Sequence, residues 1–238
     1  MIRVFFNVVE LIRILRERGN WKLIRHSRNQ LKDFISDTMA AKNKTLKNNG
    51  GLPMTDIAEQ LSTFATDLHY TDLPIDVVHL TKRMIIDTVG CALGGYSSEP
   101  SKIARDIAQS VNSSTPASVI GNGLSSSPDL ATFANGVMIR YLDYNDGYTS
   151  NESGHPSDSI AAVLSSTEMS GKGGRRAITA TVVAYETFCR LGDAATLKYI
   201  GFDHVTNGCI ASVLGSARSL GLSQEQTLQA VNLGVAPN

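Results

Sequence analysis

Apolar residues recur every three or four positions from residue 55 to the end of the chain, in segments that open on capping residues or prolines. This spacing places the apolar side chains on one face of an α-helix. It predicts helices over 55–68, 74–90, 98–111, 128–144, 157–170, 174–191, 204–220 and 223–233. No pair of alternating strands is found, and only residues 117–121 suggest a short extended piece. The fold class predicted is therefore all-α.

Helix starts and stops are marked by specific residues. Thr55 is the expected cap of the first helix, and Pro74 suits the first turn of the second, which the glycine-rich run "GCALGG" (90–95) is expected to stop. Ser223 and Gln226 have the spacing of a capping box. The helix that begins at Ser127 and Pro128 carries one long apolar stripe: Leu130, Phe133, Ala134, Val137, Met138, Tyr141 and Leu142.

Charge is divided unevenly along the chain. The whole sequence has 22 basic and 22 acidic residues, but residues 1–50 hold 11 basic and 4 acidic ones, a net charge of +7. A polar linker, 40–53, follows. We therefore expect residues 1–53 to be a basic extension with its linker and 54–238 to be a helical domain. The extension fits either an organelle transit peptide or a solvated helix, and both readings stay open.

Composition and motifs exclude several classes of function. The balanced charge gives no overall attraction to nucleic acid, and Asn7, Glu10 and Arg13 interrupt the apolar run at the N-terminus, so neither a membrane span nor a secretion signal is expected. The remaining locations are cytoplasmic or mitochondrial. The three cysteines lack metal-ligand spacing and read as buried thiols. Without HExxH, GxSxG or GxGxxG motifs, no metal and no cofactor are expected.

The stretch "LDYNDGYTSNESGHPSDS", 142–159, concentrates polar chemistry in an otherwise apolar region. Arg140 lies three residues before Asp143, so the two are expected to pair along the helix. Gly154 is expected to adopt an unusual backbone angle, and Pro156 to begin a new helix with His155 at or near its N-cap. In the alternative interpretation, this segment only caps its own helix.

The new helix start also suggests a binding site for an anion. The backbone amides of Ser157 and Asp158 have no acceptor within the helix, so they could receive a substrate carboxylate. The alternative is that the Ser157 and Asp158 side chains take up these amides as ordinary caps. Spacing alone leaves both interpretations open.

Four segments resemble the 2-methylcitrate dehydratase (MmgE/PrpD) family: "ANGVMIRYLDYNDGYTSNESGHPSDS", "LPIDVVHLTKRMIIDTVGCALGGY", "TPASVIGNG" and "GFDHVTNGCIASVLGSARSLGLS". The resemblance covers about residues 55–238. It implies a large helical domain, a smaller α+β lid domain and a homodimer that acts on small di- or tricarboxylates without a metal. The chain is expected to end before the family's active-site lysine and lid.

The resemblance also implies site residues. The family's site aspartate falls on Asp143, and its two histidines fall on His155 and His204, which become the candidate catalytic residues. The candidate substrate-binding residues, which rest on the motif's polar groups, are Arg140, Ser157 and Asp146. Two positions depart from the family pattern, which usually has a hydroxyl residue at Gly147 and an asparagine at Ser159.

The expected function is elimination of water from 2-methylcitrate or a related tricarboxylate, a step of propionate metabolism. Such a reaction needs a base for the C–H proton and an acid for the leaving hydroxyl. Two alternatives remain open. One is a cis-aconitate decarboxylase, which shares the family motif, and the other is an inactive helical fragment that serves as an interaction module.

Overall fold

The computed structural model describes residues 57–235. The Thr55 cap, the linker and the boundary at residues 53 and 54 lie outside this part. Within it, the helices are α1 (Ile57–Asp67), α2 (Ile75–Gly95), α3 (Glu99–Gln109), α4 (Pro128–Arg140), α5 (Ile160–Met169), α6 (Gly174–Ala194), α7 (His204–Leu220) and α8 (Gln224–Val235). Short 3-10 turns lie at Tyr70–Asp72, Pro156–Ser159 and Lys198–Ile200.

The extended segment near 117–121 is part of a small hairpin. Strand β1 (Ala117–Ser118) pairs antiparallel with β2 (Ser125–Ser126), with Ala117 opposite Ser126. A buried amide on α4 holds the hairpin, because Asn135 Oδ1 accepts from the Ile120 N–H at 2.9 Å and Nδ2 donates to the Ser118 carbonyl at 2.9 Å. The all-α class is confirmed.

Two apolar clusters form the core of the described region. The first joins α2, α3, α4 and α5 and consists mainly of alanines around Met138 and Ile139. The second joins α5, α6 and α7 around Phe188. Small side chains at these contacts let helices approach closely, as where a Cβ on Gly215 of α7 would lie 2.7 Å from Val163 of α5. Among the helices in 57–235, none combines the length and apolar character needed to cross a bilayer.

The run "GCALGG" does not stop the second helix, contrary to the sequence prediction. Helix α2 continues through it to Gly95. The glycines serve packing against α4 and the residues that follow it, since a Cβ on Gly95 would overlap the Met138 carbonyl oxygen and one on Gly94 would lie 2.7 Å from Leu142. Close helix–helix approach therefore outweighs the low helix propensity of glycine here.

Two helix starts agree with the sequence prediction. Pro128 opens α4, with Ser127 at the N-cap position but without a capping hydrogen bond from its side chain. At the start of α8, the Gln226 N–H donates to Ser223 Oγ, and the Ser223 N–H donates to Gln226 Oε1, as a capping box requires. Local spacing was sufficient for this prediction because both partners lie within one helical turn.

Helix α4 ends at Arg140, four residues earlier than predicted. Its buried face also differs from the predicted stripe. Ala134 and Met138 are buried as expected, but Phe133, Tyr141 and Leu142 are about half exposed. Three residues beyond the helix end, Asp143 adopts a left-handed backbone conformation, with φ of +48°. This early exit separates the polar motif from the helical scaffold.

Candidate active site

The segment after α4 turns sharply at Asp143 and brings its carboxylate back toward the helix end. The Asp143 N–H donates to the Arg140 carbonyl at 3.0 Å. Asp143 Oδ1 also lies 3.0 Å from Arg140 Nη2. The expected pair therefore forms across a left-handed turn and not along a helix. The Asp143 side chain is 74% exposed, so a ligand can reach it.

Arg140 is the centre of a polar cluster. Besides Asp143, its Nη1 donates to Asn145 Oδ1 at 2.6 Å, and its Nε lies 3.5 Å from Asp158 Oδ1. All three guanidinium nitrogens are thus engaged within the chain. Burial raises the pKa of the Asp158 carboxyl, although Arg140 and a hydrogen bond from Asn145 act in the opposite direction.

Asn145 links the motif loop to the next helix start. Its Nδ2 donates to Ser157 Oγ at 2.8 Å and to Asp158 Oδ1 at 2.9 Å. Asn145 and Ser157 are both buried. The Ser157 hydroxyl, proposed from the sequence as a substrate contact, therefore faces the interior and is occupied by Asn145.

Asp146 fixes the helix start in two ways. Its Oδ1 accepts from the Ser157 N–H at 3.1 Å, and its backbone carbonyl accepts from His155 Nδ1 at 2.6 Å. The Asp158 N–H donates to the His155 carbonyl. Of the two interpretations left open by the sequence, the one in which both amides are free for a substrate carboxylate is wrong, because Asp146 Oδ1 takes the Ser157 amide and the His155 carbonyl takes that of Asp158.

His155 is the N-cap residue of the turn Pro156–Ser159, as expected. A carbonyl oxygen can only accept, so Nδ1 must carry the proton that it donates to Asp146. A neutral ring therefore has its lone pair on Nε2. That atom lies 3.8 Å from Asp143 Oδ1, and the side chain is 25% exposed. The geometry leaves one basic nitrogen facing an accessible carboxylate.

His204 begins α7 and lies beside His155. Its Nδ1 contacts the carboxylate of Asp203, which is the N-cap residue of α7. The two ring centroids are 5.8 Å apart, at an interplanar angle of 67°. The His204 side chain is 26% exposed. In both imidazoles, Nδ1 is thus held by an oxygen acceptor. Nε2 of His204 is therefore a second reactive nitrogen, in addition to Nε2 of His155.

Gly154 makes room for this pair. A Cβ at this position would lie 2.7 Å from His204 Cδ2 and 2.8 Å from Phe188. Its backbone is not among the left-handed glycines, so the expected unusual angle is wrong. Glycine is required at this position because the His204 ring approaches closely. The residue of the motif with a left-handed backbone is Asp143.

Burial and the charge of Asp146 in the motif loop shift the pKa values of several ionisable groups. Burial raises the pKa of Tyr185 well above its ordinary value, with the negative charge of Asp146 next in effect. Burial and the charge of Asp146 also raise the pKa of Asp87, and burial and Asp87 raise that of the Cys91 thiol to about 11. Cys91 is therefore a protonated, buried thiol, as the sequence suggested, whereas Cys189 and Cys209 are only partly buried, so the prediction is wrong for these two.

The structure brings Asp143, His155 and His204 together with Arg140 in one polar cluster. Ser157 and Asp146 instead make hydrogen bonds within the chain that fix the adjoining helix start. Within 57–235, no group of three or more His, Cys, Asp or Glu side chains is arranged to hold a metal ion. Sequence reasoning missed Asp203, although its place directly before a helix start was a readable signal.

Sequence reasoning also missed Glu152 and Asp193. Glu152 is buried, and its Oε2 accepts from the Leu197 N–H at 2.6 Å and the Lys198 N–H at 3.2 Å. Asp193 Oδ1 accepts from the Tyr148 and Ser150 hydroxyls. These partners are more than 40 residues apart in the sequence, so no local pattern identified them.

Comparison with known proteins places the chain in a family. Residues 59–237 match the model of the MmgE/PrpD N-terminal domain. Similar proteins include a probable 2-methylcitrate dehydratase of Saccharomyces cerevisiae, 28% identical over 72% of this chain and 36% of the relative. The 2-methylcitrate dehydratase of Cupriavidus necator is 30% identical over 64% of this chain and 34% of its own length.

A third relative has a different name. The cis-aconitate decarboxylase-like protein oryM of Aspergillus oryzae is 27% identical over 76% of this chain and 40% of its own length. The chain thus spans little more than a third of the length of these curated relatives. Because the family model covers most of the chain, including the whole polar cluster, this protein belongs to the MmgE/PrpD family.

Proposed function

We propose that the chain contributes the acid–base half of a hydro-lyase site that eliminates water from 2-methylcitrate or a closely related tricarboxylate. The supporting observation is the pair of imidazoles whose centroids lie 5.8 Å apart, each anchored through Nδ1. Two similar proteins are named as a probable 2-methylcitrate dehydratase and a 2-methylcitrate dehydratase. Elimination needs two proton-transfer groups within reach of one small molecule.

His155 and His204 share the two proton transfers. One imidazole removes the C–H proton alpha to a carboxylate through Nε2. The other, protonated, gives its proton to the departing hydroxyl, so that water leaves as the carbon–carbon double bond forms. Asp143 Oδ1 lies 3.8 Å from His155 Nε2 and can orient this imidazole. Asp203 contacts His204 Nδ1 and orients the second ring.

Arg140 is the substrate-carboxylate contact in this proposal. Its partners within the chain differ in exposure: Asn145 is buried, whereas the Asp143 side chain is 74% exposed. A substrate carboxylate can therefore exchange with Asp143 at Nη2 while Asn145 and Asp158 keep the guanidinium in place. Ser157 and Asp146 support the site from below by fixing the helix start.

Conversion of 2-methylcitrate by the purified chain tests this proposal directly. Formation of a double bond conjugated with a carboxylate increases ultraviolet absorbance, and calorimetry measures binding of the acid separately from turnover. We expect binding that weakens in Arg140→Gln, and turnover that is lost in His155→Gln but retained in the control His79→Gln, since His79 is exposed on α2. A chain that does not bind the acid, or a His155→Gln variant that converts it as fast as the parent, contradicts the proposal.

Decarboxylation of cis-aconitate is the second candidate, and the similarity to the oryM protein favours it. One of the two imidazoles would then donate the single proton that replaces carbon dioxide in the product. Release of carbon dioxide from cis-aconitate, without absorbance growth from 2-methylcitrate, would select this reaction. The assay thus separates the two chemistries on one preparation.

Assembly and location are part of the proposal. We expect a homodimer, which analytical ultracentrifugation measures directly. The basic residues of 1–50, with a net charge of +7, fit import into mitochondria, and a cytoplasmic location is the alternative. Fluorescent tagging of the chain with and without these residues distinguishes the two.

A further inference from the structure

We infer that Glu152 is a positioning residue that holds His204 at its distance from His155. The catalytic consequence of this inference depends on the proposed function, but the positional consequence does not. Glu152 lies three residues before His155 in the sequence, and its carboxylate binds the backbone of the segment that leads to His204. It therefore connects the two histidine-bearing segments directly.

The backbone of Glu152 is fixed first. Its N–H donates to the Gly192 carbonyl at 2.9 Å, near the end of α6. A Cβ on Gly192 would lie 2.7 Å from the Glu152 carbonyl oxygen, so glycine is needed for this close approach. Asp193, the next residue, binds the same loop through the Tyr148 and Ser150 hydroxyls. The loop is thus attached to the rigid end of a long helix.

The carboxylate then holds the segment 197–203. Two consecutive N–H groups, those of Leu197 and Lys198, donate to Glu152 Oε2 at the start of the turn Lys198–Ile200. Such charge-assisted bonds to a carboxylate are stronger than bonds between neutral groups. Because Glu152 is buried, water competes weakly for them.

Apolar packing contributes little to holding this segment. Residues 198–203 are all exposed, and the Tyr199 side chain is 83% exposed. A further attachment between the two loops is a bond from Thr196 Oγ1 to the Asn151 carbonyl. The Phe202 N–H bonds back to the Leu197 carbonyl, and Asp203 then caps α7. A short, locally bonded path therefore leads from Glu152 to His204.

Loss of the carboxylate should release this path. In Glu152→Ala the two amides lose their acceptor and become hydrated, because the segment is already exposed. The segment then moves away from the motif loop, and the His204 ring loses its fixed contact with His155. Glu152→Gln keeps an oxygen acceptor without the charge, so it should retain most of the geometry.

Histidine resonances report this geometry without any need for activity. The chain has five histidines, which isotope labelling and single His→Gln variants can assign by NMR. In Glu152→Ala we expect the ring resonances of His155 and His204 to shift, whereas those of His69 and His79 stay unchanged. Glu152→Gln should give smaller shifts than Glu152→Ala. Unchanged His155 and His204 resonances in Glu152→Ala would overturn the inference.

Glu168 provides the matched control. Its Oε2 also accepts a backbone N–H from a distant segment, that of Ser118 at 2.5 Å, but it lies at the hairpin end of the domain. Glu168→Ala should leave the His155 and His204 resonances unchanged. Shifts of equal size in both variants would show a general structural effect and overturn the positional role.

Two further readouts keep the test decisive. If Glu152→Ala does not fold, Gly192→Ala displaces the same loop by about the overlap of one methyl group, and the same two resonances must shift. In an active preparation, Glu152→Ala should lower kcat roughly ten- to a hundredfold with little change in KM, since misplaced acid–base groups slow the chemical step. Shifted resonances in a chain without turnover would support the positional role while rejecting the proposed reaction.

Discussion

Two buried asparagines, one within α4 and one just beyond its end, belong to regions that are held together in different ways. Asn135 lies within the helix and binds the backbone of the β1–β2 hairpin, among alanines. Asn145 lies five residues beyond the helix end and binds three polar side chains, Arg140, Ser157 and Asp158. The first region is apolar and closely packed, whereas the second is a network of charges and hydrogen bonds.

Because of this difference, substitutions in the two regions should affect different properties of the protein. In the packed region, partners are backbone atoms and alanine methyl groups, so a substitution there should alter the free energy of unfolding. In the polar region, the partners orient ionisable groups that remain accessible, so a substitution should alter the reaction as well. Catalytic geometry therefore rests on hydrogen bonds that packing alone does not supply.

The largest expected effect lies at His155. His155→Gln removes a proton-transfer group, so turnover should fall by roughly a hundredfold or more. The urea midpoint should change little, because the side chain makes one hydrogen bond, to the Asp146 carbonyl. Parallel activity and unfolding measurements check this. A clear loss of stability with unchanged turnover would instead identify His155 as an ordinary capping residue.

The two asparagines give the next test. Asn145→Ala and Asn135→Ala each leave buried hydrogen-bonding groups without partners, so each should lower the free energy of unfolding by about 2 kcal/mol. Only Asn145→Ala should also lower turnover, since Arg140 loses its Nη1 partner. Equal losses of turnover in both variants would remove the distinction between the two regions.

Two glycines of α2 test the packed region alone. A Cβ on Gly95 would overlap the Met138 carbonyl of α4, whereas one on Gly90 would meet no atom within 4 Å. Gly95→Ala should therefore destabilise the protein by about 1–3 kcal/mol. Gly90→Ala should stabilise it by about 0.5–1 kcal/mol through helix propensity. Urea unfolding measures both, and a neutral Gly95→Ala would mean that α2 and α4 separate easily.

The smallest expected effect concerns Asp87, which lies on α2 near Asp146. Burial and the charge of Asp146 raise its pKa above the ordinary 3.8 in the folded state. Between the two values the folded chain binds more protons than the unfolded chain, so this group lowers stability as the pH rises. Asp87→Asn removes the charge and should raise the urea midpoint at about pH 7 but not at about pH 3.

Asp106→Asn is the control for this measurement, because Asp106 is exposed on α3. It should give the same midpoint as the parent at both pH values. An advantage of Asp87→Asn that is as large in acid as at neutral pH would show that charge is not its cause.

Much of this protein was readable in its sequence. Helical spacing predicted the all-α fold, and the reciprocal spacing of Ser223 and Gln226 predicted a cap that the structure contains. The motif around His155 predicted both the family and the N-cap position of that residue. These features were accessible because their partners lie within a few positions along the chain or within one long motif.

Other features depended on contacts between distant residues. The sequence could not show that α2 continues to Gly95 or that Gly154 makes room for His204. In each case the glycine is required by a close contact with a residue of another element. Nor could it assign Glu152 to backbone amides 45 and 46 residues away. Helical periodicity and local hydrogen bonds depend on residues that are close in the sequence, so the sequence can predict them. The distance between the two imidazoles depends on how helices and loops from distant parts of the chain pack together.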